Sequence, residues 1–126
     1  MITAYIDFKS LDCFLAISPI LELADDCETP VSWKPYRSTE RALPTQVANE
    51  SITQTHHRVR AESERRLQQH YARLRGLDID PSRGQIDTSA ALGWLANLEG
   101  DTSSFVSRLF TAHWIEHTDI NDPTFL

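Results

Sequence analysis

Two side chains with hydroxyl and thiol chemistry stand close together near the amino terminus. Ser10 and Cys13 follow an apolar, β-branched segment at residues 2–8 and open a stretch with helical spacing. A hydroxyl at the first turn of a helix lies beside unpaired backbone N–H groups and the positive end of the helix dipole. Such a position stabilises an anion, including a bound thiolate. An ordinary N-cap needs the same residue, so the spacing leaves both interpretations open.

The cysteines are not spaced as a redox pair. Residues 10–13 contain one sulfur, and Cys27 lies near the far end of the same predicted helix, a poor position for a resolving thiol. Cys13 itself can equally be a small buried hydrophobe. Two cysteines are too few for a disulfide framework, so a reducing, cytoplasmic compartment is expected.

A histidine motif near the carboxyl terminus suggests a second chemistry. His113, Glu116 and His117 match the H-x-x-E-H spacing of one class of zinc peptidases, in which two histidines on one helical face chelate the metal. A solvated helix end with histidines near its negative pole explains the same residues without a third ligand. The prediction from the sequence is therefore that no metal is bound.

Charge and composition narrow the range of partners. The 126 residues carry 18 acidic and 12 basic side chains, a net charge of −6, and 40% of them are hydrophobic. These values are typical of one globular domain and disfavour nonspecific nucleic-acid binding. No apolar run approaches the ~20 residues that span a bilayer, so a membrane is not an expected partner. Because of the net charge, nucleic acid is not an expected partner either. Six arginines lie on one predicted helix, at positions 58, 60, 65, 66, 73 and 75, but Glu62 and Glu64 interleave with them. A solvated face with internal ion pairs is the favoured interpretation of that helix.

The element that must position Ser10 is a strand, helix, strand unit. The pattern predicts a strand ending near Phe8, a helix capped by Ser10, and a second strand over residues 31–36 that Pro35 ends or places at an edge. Pro19 lies within the helix and is expected to kink or divide it. Together these elements predict a βαβ unit with a parallel pair of strands and a right-handed crossover.

The rest of the chain is predicted to be helical. A long amphipathic helix spans residues 53–76, with Val59, Ser63, Leu67, Tyr71 and Leu74 at three- and four-residue spacing. A turn at residues 79–84 precedes two shorter helices, one capped by Thr88 or Ser89 and ending near Leu98, the other capped by Asp101 or Thr102. A further helix is expected to start at Pro123.

Several motifs resemble one protein family. Residues 7–16 read D-F-K-S-L-D-C-F-L-A and are similar to the D-F-x-S-P-x-x-Y-L-A opening of DsbA-like thioredoxin-fold proteins. The resemblance points to the branch of 2-hydroxychromene-2-carboxylate isomerases and kappa-class glutathione transferases. Pro19, the W-K-P-Y segment at 33–36, the stretch 105–114 and the D-I-N-D-P segment at 119–123 also match, in order, along nearly the whole chain.

The resemblance implies glutathione chemistry. In the isomerase branch the residue corresponding to Ser10 hydrogen-bonds the glutathione sulfur, and Cys13 would be its neighbour. The implied ligand is glutathione, or another small-molecule thiol or its conjugate, and the implied activity is a glutathione-dependent isomerisation or transfer. Disulfide oxidoreductase activity is not expected, because the C-x-x-C pair of that branch is incomplete here.

The resemblance also implies a domain organisation. Residues 1–40 would form the thioredoxin-like βαβ unit and residues 41–126 a helical insertion domain, with the carboxyl-terminal ββα half of the fold absent. A two-stranded parallel sheet is not stable alone, so a fragment of a longer protein or a homo-oligomer that covers the sheet is expected. The alternative function is a catalytically incompetent thioredoxin-like domain that acts as a binding or assembly module.

Overall fold

The structure, a computed structural model, describes residues 1–39 and 43–125. Seven elements follow one another: β1 (Ile2–Ile6), α1 (Leu11–Asp26), β2 (Val31–Pro35), α2 (Ile52–Leu74), a 3-10 turn (Pro81–Gly84), α3 (Ser89–Asn97) and α4 (Ser103–Trp114). The architecture is mixed α/β and mostly helical, with one two-stranded sheet in the described part of the chain. No helix of residues 1–39 and 43–125 is both long and apolar enough to cross a membrane.

The sheet confirms the predicted strand, helix, strand arrangement. The two strands are parallel and in register from Ile2 beside Val31 to Ile6 beside Pro35. Both strands end slightly before the predicted limits: β1 ends at Ile6, where the chain turns into the loop that leads to α1, and β2 ends at Pro35. A thioredoxin-like βαβ unit is compatible with this topology.

The two faces of the sheet differ in environment. Ile6 and Trp33 are buried on the inner face, and the Trp33 indole N–H donates to Ser103 Oγ of α4 at 2.9 Å. On the other face Thr3 and Tyr5 are exposed, Tyr5 to 67%. Parallel sheets are normally covered on both faces, so this sheet retains an uncovered face in the described part of the chain.

One aromatic core joins the βαβ unit to the later helices. Phe8 and Trp114 are fully buried, and Phe110 is 1% exposed. The Phe14 ring of α1 stacks on Trp114 with 6.4 Å between centroids and 2° between planes, and on Phe110 at 6.0 Å. Core residues therefore come from both sides of residue 40. The division into domains at that position remains a prediction.

Pro19 was expected to kink or divide α1, and it does not divide it. The helix runs without interruption from Leu11 to Asp26. Proline has no N–H, so the carbonyl of Leu15 lacks its helical donor. The guanidinium of Arg75, just after the end of α2, donates a hydrogen bond to that carbonyl. A side chain distant in sequence thus replaces the missing backbone donor.

The long helix α2 has a stronger start than the sequence analysis assigned. Ser51 Oγ accepts from the Gln54 N–H at 3.1 Å, and Gln54 Oε1 accepts from the Ser51 N–H at 2.7 Å. This reciprocal pair is a capping box, and it starts the helix at Ile52. The predicted ion pairs are present along the helix, between Arg58 and Glu62 at 3.3 Å and between Arg60 and Glu64 at 3.4 Å.

The helix expected to start at Pro123 stays a prediction, because the described residues end at 125. Turns occupy the described residues after α4, where Asp122 Oδ1 accepts from the Thr124 N–H at 2.9 Å. An aspartate that accepts from the backbone N–H two residues on occurs both in turns and at the N-cap of a helix. Ile120 is buried and holds this segment on the core.

Candidate functional site

The loop between β1 and α1 is held by a buried carboxylate. Asp7 is fully buried and comes directly after β1. Its Oδ2 accepts from the Ser38 N–H at 2.8 Å and the Ser38 hydroxyl at 3.2 Å. Its Oδ1 accepts from the Thr88 hydroxyl at 2.5 Å and the Lys9 N–H at 3.4 Å, and Lys9 Nζ lies 4.0 Å from Oδ2. The carboxylate therefore ties the loop to the chain after β2 and to the start of α3.

Two further contacts fix the same loop. The Trp114 indole N–H donates to the Phe8 carbonyl at 3.0 Å. Gly84 approaches the Lys9 carbonyl so closely that a Cβ at this position would lie 3.0 Å from that oxygen. The backbone that leads to Ser10 is thus clamped by α4 and by the 3-10 turn, which pre-organises the start of α1.

Ser10 takes the predicted capping position. Its backbone is extended, with φ −85° and ψ 116°, and its Oγ accepts from the Cys13 N–H at 3.3 Å. Ser10 is 8% exposed, and Cys13 is half-buried against the core with a free thiol. Asp12, also in the first turn, accepts from Gln68 Nε2 at 2.9 Å and so ties α1 to α2. The structure brings Ser10 and Cys13 together, as the spacing predicts.

A cleft of about 390 Å³ opens beside this turn, between the β1–α1 loop, α2 and the 3-10 turn. Lys9 and Leu11 form one wall, and His57, Arg65 and Gln68 of α2 form part of another. Neither Ser10 nor Cys13 lines the cleft. Among the described residues its lining has two cations, Lys9 and Arg65, and one carboxylate, Glu64, in a chain whose net charge is −6. Its chemistry suits a polar ligand that carries a carboxylate.

The residues that hold the site in place are not predicted from the sequence. Asp7 lies within the motif at residues 7–16 without an assigned role, and Thr88 is predicted only as a helix cap. The Thr88 side chain makes no cap hydrogen bond; it donates to Asp7 instead. A carboxylate directly after the last residue of an apolar strand is an available signal, because such a group needs several partners when it is buried. The identity of those partners was not readable from spacing.

The H-x-x-E-H segment does not form a chelating face. α4 ends at Trp114, and His117 has a positive φ of 55°, so His113 and His117 do not share one helical face. His113 is 2% exposed, and its Nε2 lies 2.8 Å from the Arg83 carbonyl, while Arg83 Nε donates to the His113 carbonyl at 3.0 Å. Within residues 1–39 and 43–125 no three His, Cys, Asp or Glu side chains are grouped as metal ligands.

The buried His113 predicts a pH dependence of stability. Burial lowers the pKa of His113 below its ordinary value of 6.5 more than the hydrogen bond to the Arg83 carbonyl raises it. The unfolded chain therefore binds a proton at this residue more readily than the folded chain. The free energy of unfolding should fall as pH decreases below about 6.5, by at most about 1.4 kcal/mol per pH unit for one proton.

Urea denaturation at several pH values, in parallel for wild type and His113→Gln, measures this effect. Glutamine keeps an N–H donor for the Arg83 carbonyl but cannot be protonated in this range. The variant should show a flatter dependence on pH than wild type. Identical slopes for the two proteins would contradict the assignment to His113.

Comparison with protein families, with curated proteins and with solved structures finds no significant match to this chain. The functional argument therefore rests on the residues and the geometry described above.

Proposed function

We propose that this chain is a DsbA-like, thioredoxin-fold protein of the 2-hydroxychromene-2-carboxylate isomerase type, which binds glutathione or a related small-molecule thiol. In this proposal Ser10 positions the sulfur and Cys13 is its neighbour. The observation that carries it is the placement of a serine hydroxyl at the N-cap of α1, directly after the first strand of a βαβ unit.

The chemistry of the N-cap supports the ionised form of a bound thiol. Ser10 Oγ uses a lone pair for the Cys13 N–H, which leaves its own hydrogen to donate to a sulfur anion. The positive end of the α1 dipole favours the same charge. Glutathione supplies a nucleophilic thiolate that adds to an electrophilic carbon, and it leaves again in an isomerisation. Residues on the chain bind and orient it.

The neighbouring cleft fits the rest of such a ligand. Glutathione carries two carboxylates, and Lys9 and Arg65 provide cationic groups on facing walls of the cleft. No cysteine takes the position of Ser10, so we propose an isomerase or transferase and not a disulfide oxidoreductase. The free thiols of Cys13 and Cys27 agree with a reducing compartment, which we propose to be the cytoplasm.

Calorimetric titration with reduced glutathione tests the proposal. Ser10→Gly removes the hydroxyl and, as an N-cap, costs only a few tenths of a kcal/mol in stability. Its affinity for glutathione should fall roughly tenfold or more, because a hydrogen bond to a charged sulfur contributes about 1.5–3 kcal/mol. Ser18→Ala, an exposed serine on the same helix, is the matched control and should bind like wild type. Equal binding by Ser10→Gly and wild type would remove Ser10 from the site.

A binding or assembly module is the second candidate. Two observations favour it: Ser10 is 8% exposed and lies off the cleft wall, and the outer face of the sheet presents Tyr5 at 67% exposure. A binding or assembly module acts through its exposed surface, so it does not need an accessible Ser10 hydroxyl. If wild type gives no heat with millimolar glutathione, the thiol proposal fails and the module remains.

A further inference from the structure

The apolar stripe of α2 lies on the exposed side of the helix, and Leu67 at its edge lines a groove beside Pro19 and Ile20 of α1. Ile52, Val59, Leu67 and Leu74 are between 48% and 79% exposed. At 3.6 residues per turn they lie within about 80° of one another on the helix circumference. Ala72, which is 2% exposed, lies on the opposite side. An amphipathic helix normally buries its apolar stripe, so this orientation leaves an interaction surface on the outside.

The stripe has a symmetric pattern. Seven exposed positions follow one line along the helix: Ile52, His56, Val59, Ser63, Leu67, His70 and Leu74. The intervals between them are four, three, four, four, three and four residues, the same from either end. The residue types are symmetric too: aliphatic, histidine and aliphatic on each side of a central serine. The stripe therefore has the same pattern in both directions along the helix, and it can match the same stripe of a second, antiparallel copy.

We propose that a second copy of this chain docks on α2 in antiparallel orientation, with a two-fold axis beside Ser63. An isologous dimer requires a surface that matches itself after rotation, which is the property of this stripe. The rotation places Ile52 against Leu74 of the partner subunit and Val59 against Leu67 of the partner subunit. The small Ser63 at the centre allows the two helices to approach closely. The seven stripe residues lie outside the cleft beside Ser10, which Glu64 on their flank helps to line, and the proposal does not depend on the proposed activity.

Charges beside the stripe are balanced in the antiparallel register. Arg60 and Glu64 lie on one flank, with side chains 83% and 66% exposed, and pair weakly within the helix at 3.4 Å. Rotation about an axis through Ser63 places this flank beside the same flank of the partner helix, which runs in the opposite direction. Glu64 then lies within about two residues, or roughly 3 Å along the axis, of Arg60 of the partner subunit and equally of Glu64 of the partner subunit. The attraction and the repulsion offset each other, so the apolar stripe alone sets the register.

Sedimentation velocity at about pH 8 and about 10–200 μM chain tests the proposal. The wild type should form a dimer in this range. Leu67→Glu introduces two carboxylates at the centre of the interface and should raise the dissociation constant at least about 100-fold. Leu23→Glu is the matched control, because Leu23 is 54% exposed on α1 and Leu67 is 53% exposed on α2. The control should dimerise like wild type, and circular dichroism should show both variants folded.

Cross-linking tests the register independently. In a Cys27→Ser background, Ser63→Cys places two thiols next to the two-fold axis, within reach of a disulfide. Val59→Cys places each thiol opposite position 67, about eight residues or 12 Å along the axis from its equivalent. Mild oxidation should therefore link the Ser63→Cys chains much faster than the Val59→Cys chains.

Three results would overturn the proposal. A wild-type chain that is monomeric over the whole concentration range would show that a second copy does not dock on the stripe. A dimer that Leu67→Glu leaves intact would place the contact elsewhere on the molecule. Equal cross-linking of Ser63→Cys and Val59→Cys would exclude the antiparallel register.

Discussion

Replacement of Asp7 by alanine should destabilise the protein by about 3–5 kcal/mol, the range observed when one partner of a buried charged network is removed. Asp7 is fully buried, and its carboxylate accepts hydrogen bonds from Ser38, Thr88 and the Lys9 backbone. The substitution removes the acceptor that these donors share, and the Thr88 hydroxyl among them is buried. Because a typical domain is stable by about 5–15 kcal/mol, this loss would lower the urea midpoint markedly.

Controls separate the hydrogen-bond network from the loss of an acid. Thr88→Ala removes one donor and should cost about 1–2 kcal/mol. Asp26→Ala, at the exposed end of α1, should change stability by no more than about 0.5 kcal/mol. Urea unfolding followed by tryptophan fluorescence measures all three variants. A loss below about 1 kcal/mol for Asp7→Ala would show that Asp7 does not hold the loop together.

Replacement of Arg75 by alanine should cost about 1.5–3 kcal/mol, because the charged guanidinium supplies the hydrogen bond that the Leu15 carbonyl lacks. The physical reason is local: Pro19 has no N–H to give to that carbonyl. Where alanine replaces Pro19, the helix can make its own bond, and the loss of Arg75 should then cost much less.

A double-mutant cycle measures this coupling. Urea unfolding of wild type, Pro19→Ala, Arg75→Ala and the double variant gives the interaction energy, which should exceed about 1 kcal/mol. Arg73→Ala is the control, since Arg73 is an exposed arginine two residues earlier and has no hydrogen bond to α1 in the described part of the chain. If Arg75→Ala costs the same with proline and with alanine at position 19, the guanidinium does not replace the missing donor.

Much of the secondary structure was predictable from local patterns. The β-branched residues before Phe8 predict β1, the hydroxyl of Ser10 predicts the start of α1, and Gly76, with φ 68°, ends the long helix as its position predicts. These features depend on interactions within a few residues, which a sequence displays directly. The S-x-x-Q capping box at Ser51 was also readable and was missed. The helix expected at Pro123 stays a prediction, because the described residues end at 125.

The candidate site was predictable only in part. The sequence placed Ser10 and Cys13 in one turn, and the structure does the same. Their burial, the clamp formed by Trp114 and Gly84, and the cationic wall with Arg65 depend on elements far apart in the chain. No spacing rule predicts which distant side chain meets a given loop.

The sequence by itself determined the order and type of the elements, the N-cap at Ser10 and the amphipathic character of α2. The tertiary structure alone decided that Asp7 binds Thr88, that Arg75 bonds the Leu15 carbonyl, and that the apolar stripe of α2 faces outward. The physical reason is that periodicity fixes which residues share a face but not the direction of that face. The direction depends on packing, and here the packing buries Ala72 and leaves the stripe open.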